Sequence, residues 1–226
     1  RDAVSTPRSY LTDAALGVAQ AAPRALPQDF AVALASTVLD GGVVVKALLI
    51  VGLWLAGWGA ARLAALVVPY AGLAGQCVAA TVAIWNPYVA ERLLQGHWSL
   101  LVGYGCLPWV AAAVLTLRSS APNLHSGSQS ASRGLLECKF GGVGAVLFWM
   151  ALAGLTPTGL MLAATIALAC AMAPGGGRSR RFCAAVSLAA ATTAALPWLV
   201  ASAVAGGWAS EAAQGPAVAA FAARAE

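Results

Sequence analysis

Four side chains able to do chemistry together are crowded into one short run, Asn86-Pro87-Tyr88-Val89-Ala90-Glu91-Arg92-Leu93-Leu94-Gln95-Gly96-His97-Trp98. Of an acid, a guanidinium, an amide and an imidazole, the guanidinium and the imidazole are groups that bind a phosphate. Arg92 offers a planar, bidentate set of donors, His97 adds a single one, Glu91 orients them or a substrate hydroxyl, and Gln95 supports them. Two plainer readings compete: Glu91 and Arg92 neutralise each other as a structural pair, or the run is an interfacial helix with Tyr, Trp and Arg at headgroup level. A second set of candidates lies near the start, where Asp2, Asp13 and Asp29 are carboxylates in a Pro-punctuated polar stretch. Group transfer to an acceptor hydroxyl needs such a carboxylate to take its proton.

Local signals say how the first set is held. A residue before proline is steered out of helical geometry, so Asn86 ends one helix, Pro87 opens another, and Gly96 stops it. In that short helix Tyr88, Glu91, Gln95 and Trp98 are spaced to share one polar stripe, with Val89, Leu93 and Gly96 facing elsewhere. Arg92 is turned about 100° from Glu91, and His97 lies just past the break.

The surrounding chain is membrane-like. It is 60% hydrophobic and 9% charged, with mean hydropathy +0.78, far from the roughly 45–50% and about 25% of soluble domains. Its abundance of Ala and Gly suits helices that pack closely in lipid. The expected fold is all-α, a polytopic transmembrane helix bundle of about six membrane segments. Residues 1–42 form an outer-face loop with short interfacial helices, 43–205 the bundle, and 206–226 an outer-face tail. Within the loop, Phe30, Leu34 and Val38 share one face of a helix opened by Gln28-Asp29 and ended by Gly41. The spans are Val43–Ala61, closed by Arg62, then Leu66–Trp85, Trp98–Leu117 with a kink at Pro108, and Phe182–Ala205.

Between them, Phe140–Ala173 is an apolar run of 34 residues, about 51 Å as one helix against a hydrocarbon core of about 30 Å. Thr156-Pro157-Thr158-Gly159 breaks it into a hairpin. That reading sets Arg62, Arg118, Arg133, Lys139, Arg178, Arg180 and Arg181 on one side, which the positive-inside rule makes cytoplasmic. The Asn86–Trp98 run is then outside. With the basic residues dispersed along loops, the net charge of +5 reflects topology, and nucleic acid is not an expected partner. The five cysteines lack metal-site or disulfide spacing and read as small buried hydrophobes; they signal no metal site, and the cofactor is unknown. Pro174–Arg181 lacks the Gly-Lys-Ser/Thr ending of a phosphate loop, and His125 falls in a Ser/Gly-rich connector. The chain starts at Arg1, without a signal segment, and reads as a piece of a longer protein.

The pattern Asn86-Pro87-Tyr88-Val89, Glu91-Arg92-Leu93, Gly96-His97-Trp98, Gly103-Tyr104 and Leu107-Pro108-Trp109, with Arg1-Asp2, the Pro23–Asp29 segment and Leu155-Thr156-Pro157-Thr158-Gly159, resembles an uncharacterised actinobacterial integral membrane protein family. That family is distantly similar to GT-C glycosyltransferases, which use polyprenyl-phosphate sugars and place an acid in the first outer loop. The resemblance implies a cell-envelope transferase with Asp2 as base, Arg92 and His97 as phosphate contacts, and Glu91 and Gln95 in support. A transporter or flippase and a non-enzymatic membrane scaffold are the alternatives. Charged side chains are missing from 63–90, 98–117, 140–177 and 182–210, which disfavours ion coupling.

Overall fold

The computed structural model describes residues 28–120 and 142–204, and every regular element among them is helical. Asp2, Asp13, His125, Arg133, Lys139, Cys138 and the tail at 206–226 lie outside the described residues. In chain order the elements are α1 (Gln28–Ala35), α2 (Gly41–Val67), a 3-10 turn (Pro69–Ala71), α3 (Gly72–Ile84), α4 (Pro87–Gln95), α5 (Trp98–Ser119), α6 (Val143–Ala153), α7 (Pro157–Met172) and α8 (Arg180–Val204). Three of them, α2, α5 and α8, are long and apolar enough to cross a membrane; α3, α6 and α7 are shorter apolar helices.

The central element is α5, which packs against α2, α4, α6, α7 and α8. Its Cys106, Val110 and Val114 are fully buried in the main core with Val146, Met150, Ala163 and Ala167. Helices α2 and α5 run parallel: Gly52 lies against the Leu101–Val102 backbone, and further along Gly59 lies against Trp109. A Cβ on Gly105 would stand 2.5 Å from the Gly52 carbonyl oxygen, so the close approach requires glycine. Trp109 Nε1 donates to Leu55 O at 3.0 Å across the same seam.

The hairpin expected in 140–173 is present. Gly142, before α6, lies beside Leu117 near the end of α5; the turn between α6 and α7 lies beside Gly103; and Arg178, after α7, bonds back to Arg118. The chain therefore rises along α5 and returns. Thr156 caps α7, its buried Oγ1 accepting from Gly159 N at 3.0 Å, and Pro157 takes the first helical position.

Three expectations at the other end need correction. First, Gly41 does not end α1 but begins α2, because Asp40 Oδ1 accepts from Gly42 N and Val43 N and nucleates the new helix. The packed face of α1 carries Val32, Ala33 and Ser36, whereas Phe30, Leu34 and Val38 are exposed. Second, α2 does not close at Arg62 but continues to Val67, with Arg62 stacked over the Trp109 ring at 5.8 Å. A cation on an aromatic face needs no helix end. Third, the second apolar run begins with the 3-10 turn, leaving α3 at 13 residues, about 20 Å long.

Candidate functional site

Asn86 fixes the entrance to the site. Its Oδ1 accepts from Val89 N at 3.0 Å, the N-cap bond of α4, and its Nδ2 reaches Val82 O, Ala83 O and Tyr104 Oη at 3.1, 3.0 and 3.2 Å. Tyr104 Oη in turn donates to Ala83 O at 3.0 Å. One amide thus ends α3, starts α4 and ties both to α5. Gly96 closes α4 with φ 72°, the left-handed geometry that favours glycine; Gly96 N bonds Leu93 O and His97 N bonds Arg92 O.

That backbone reversal brings Arg92 and His97 together. Arg92 Nη1 lies 3.1 Å from His97 Nδ1, and because a guanidinium only donates, Nδ1 is the acceptor and the imidazole proton sits on Nε2. Arg92 Nη2 pairs with Glu91 Oε1 at 3.0 Å, and Gln95 Nε2 donates to the same oxygen at 3.1 Å. The Arg92 guanidinium also lies 5.4 Å from the Tyr88 ring centroid, and Tyr88 lies 5.4 Å from Tyr104. Its Nε is buried with no acceptor among the described residues. Glu91 is about half exposed and Arg92 21% exposed, so the pair adds little stability. What it does is orient the guanidinium.

The structure therefore gathers all four of Glu91, Arg92, Gln95 and His97. Trp98 does not join them: it is 6% exposed and packs with Val32, Val45 and Val102. The stripe ends at Gln95 because the left-handed Gly96 breaks the helical phase. Among the described residues no group of three or more His, Cys, Asp or Glu is gathered as for a metal.

Sequence reasoning missed what lies beside this network. A groove of about 830 Å³ runs between α2, α3 and α5, with Ile166 of α7 at its edge. Its walls are apolar from Ala56 to Val68 on α2 and from Gly75 to Ala83 on α3, and its polar members are Asn86 and Tyr104. From Ala56 to Val67 it extends about 16 Å, roughly half a hydrocarbon core. The groove exists because α3 packs on α2 and buries none of its own residues. Small residues at 56, 60, 64, 75, 79 and 83 were the available signal, though alone they indicate close helix packing equally well. Compared with protein-family models, curated proteins and solved structures, the chain matches none.

Proposed function

We propose that the chain belongs to a multi-pass protein of the cell membrane that handles a lipid-linked phosphate, and specifically that it is a GT-C-like transferase moving a sugar from a polyprenyl-phosphate carrier at the outer face. One observation carries the reading: an apolar groove ends on Asn86 and Tyr104, and Tyr88 links that end to the Arg92–His97 pair. A long apolar chain with an anionic head fits that sequence of surfaces. In a bilayer the tail is already in hydrocarbon, so the groove holds it by packing contacts, and the head meets the Arg92 guanidinium, a charged donor. Glu91 and Gln95 hold Arg92 in place, His97 stands beside it as the second phosphate contact, and Asp2, outside the described residues, is the base that deprotonates the acceptor.

The decisive measurement is sugar transfer by the full-length protein in membranes, using a polyprenyl-phosphate sugar. Arg92→Gln should lower transfer by about 10- to 100-fold, the range for a lost charge-assisted hydrogen bond, and Asp2→Asn should abolish it, both with normal insertion. Full activity in either variant sinks its assigned role. A scaffold is favoured by a different observation, the mutual satisfaction of Glu91, Arg92 and Gln95. It predicts an unchanged pool of lipid-linked sugars when the gene is deleted, whereas the transferase predicts accumulation of the donor.

A further inference from the structure

The end of the bundle opposite α4 is built around arginines. Arg118, at the end of α5, is 5% exposed. It donates to the carbonyl oxygens of Gly175 and Arg178, while its own carbonyl accepts from Arg178 N at 3.1 Å. These bonds pin the connection between α7 and α8. The pinned segment carries Arg178, Arg180 and Arg181, and the last two are exposed. Among the described side chains the acids are Asp40 and Glu91, at the start of α2 and on α4. No described carboxylate offsets the three arginines.

Among the described residues the cluster is cationic throughout. The three arginines fall within four consecutive residues, and Arg180 and Arg181 occupy the first turn of α8, where the helix dipole disfavours cations. Arg178 is constrained further: its guanidinium lies 5.2 Å from the Phe182 ring, and its Nε is buried without an acceptor among the described residues. Where local preferences are broken in this way, a ligand that reverses the sign of the field is the expected compensation. The rim of the cluster says which anion. Phe182 and Met172 are 43% and 51% exposed, apolar surfaces at the start of α8 and the end of α7, suited to acyl chains below a phosphate.

We propose that Arg178, Arg180 and Arg181 bind the phosphate of an anionic glycerophospholipid, its acyl chains lying along Phe182 and Met172, and that Arg118 is the positioning residue that holds the three in place. This site is separate from the groove and from the Arg92 network, and it does not depend on the transferase reading.

The test is competitive lipid retention by the full-length protein. Protein purified in mild detergent is exposed to equal phosphatidylglycerol and phosphatidylcholine, and bound lipid is counted by native mass spectrometry. Wild type should retain phosphatidylglycerol preferentially. Arg181→Gln should cut that preference about fivefold, the factor for one cation at an anionic surface. Arg181→Lys should keep most of it, which separates lost charge from damaged folding. Lys46→Gln removes an exposed cation on α2 and should leave the preference unchanged. Equal retention of the two lipids by wild type would overturn the proposal, as would an equal loss in Lys46→Gln. So would thermal stabilisation by inorganic phosphate alone as large as that by phosphatidylglycerol, since the site would then not read a lipid.

Discussion

Asn86 and Glu91 are neighbours in one helix with very different consequences for stability. Asn86 satisfies an orphan amide at the start of α4 and ties its own amide group to the end of α3 and to Tyr104. Asn86→Ala should therefore lower stability by about 1–2 kcal/mol, the upper part of the range for a lost N-cap, measured as a fall in melting temperature in detergent. Glu91 is half exposed, and Glu91→Gln should stay within about 0.5 kcal/mol of wild type. A large loss in Glu91→Gln would mean that the ion pair holds the fold. The proposed role of the pair is to aim Arg92, and that is visible only in substrate binding. His97 belongs at this scale too, since its Nδ1 accepts from Arg92.

At the scale of elements, the parallel contact of α2 with α5 depends on backbone meeting backbone. Gly105→Ala would set a methyl 2.5 Å from Gly52 O and 3.1 Å from Leu55 Cβ, both on a buried stretch of α2 that cannot give way locally. The expected cost is about 1–3 kcal/mol, read as a lower melting temperature and earlier proteolysis of the α2–α3 region. An unchanged melting temperature would show that the two helices can separate freely. The hairpin of α6 and α7 is the other element-level finding. Its turn lies beside Gly103, about 8 Å along α5 from Trp98. Leu152 and Leu155 of the hairpin meet the smaller core of Val32, Val45, Trp98 and Val102, which joins α1, α2, α5 and the turn at one end.

At the scale of the molecule, the two ends differ in charge and in chemistry among the described residues. One end holds α1, Asp40 and α4 with its mixed polar network; the other holds Arg118, Arg178, Arg180 and Arg181. Between them, exposed Ile50, Trp54, Leu73, Val78 and Leu188 give an apolar girdle suited to lipid. If the arginine end is cytoplasmic, a cysteine at Leu94, which is 90% exposed, should react with an impermeant maleimide on intact cells in a cysteine-free background. A cysteine at Ser179 should react only after permeabilisation. The reverse pattern would invert the molecule, and labelling of both from outside would refute the sidedness altogether. Leu94 is a better reporter than Gln95, whose side chain is engaged with Glu91.

By itself the sequence determined the helical class, the break at Thr156-Pro157, the start of α4 at Pro87, its stop at Gly96, and the clustering of Glu91, Arg92, Gln95 and His97. These rest on composition and on local rules of proline, glycine and capping, which act within a few residues and are legible in one dimension. The tertiary structure decided the rest. It sent Trp98 into the core, turned α1 so that Val32 and Ala33 are buried instead of Phe30 and Leu34, carried α2 past Arg62, and left α3 standing off α5 so that a groove opens beside Asn86 and Tyr104. Apolar residues lie all round such helices, so periodicity does not choose a buried face. Only the close approach of glycine-bearing neighbours, and the space left where a neighbour is missing, makes that choice.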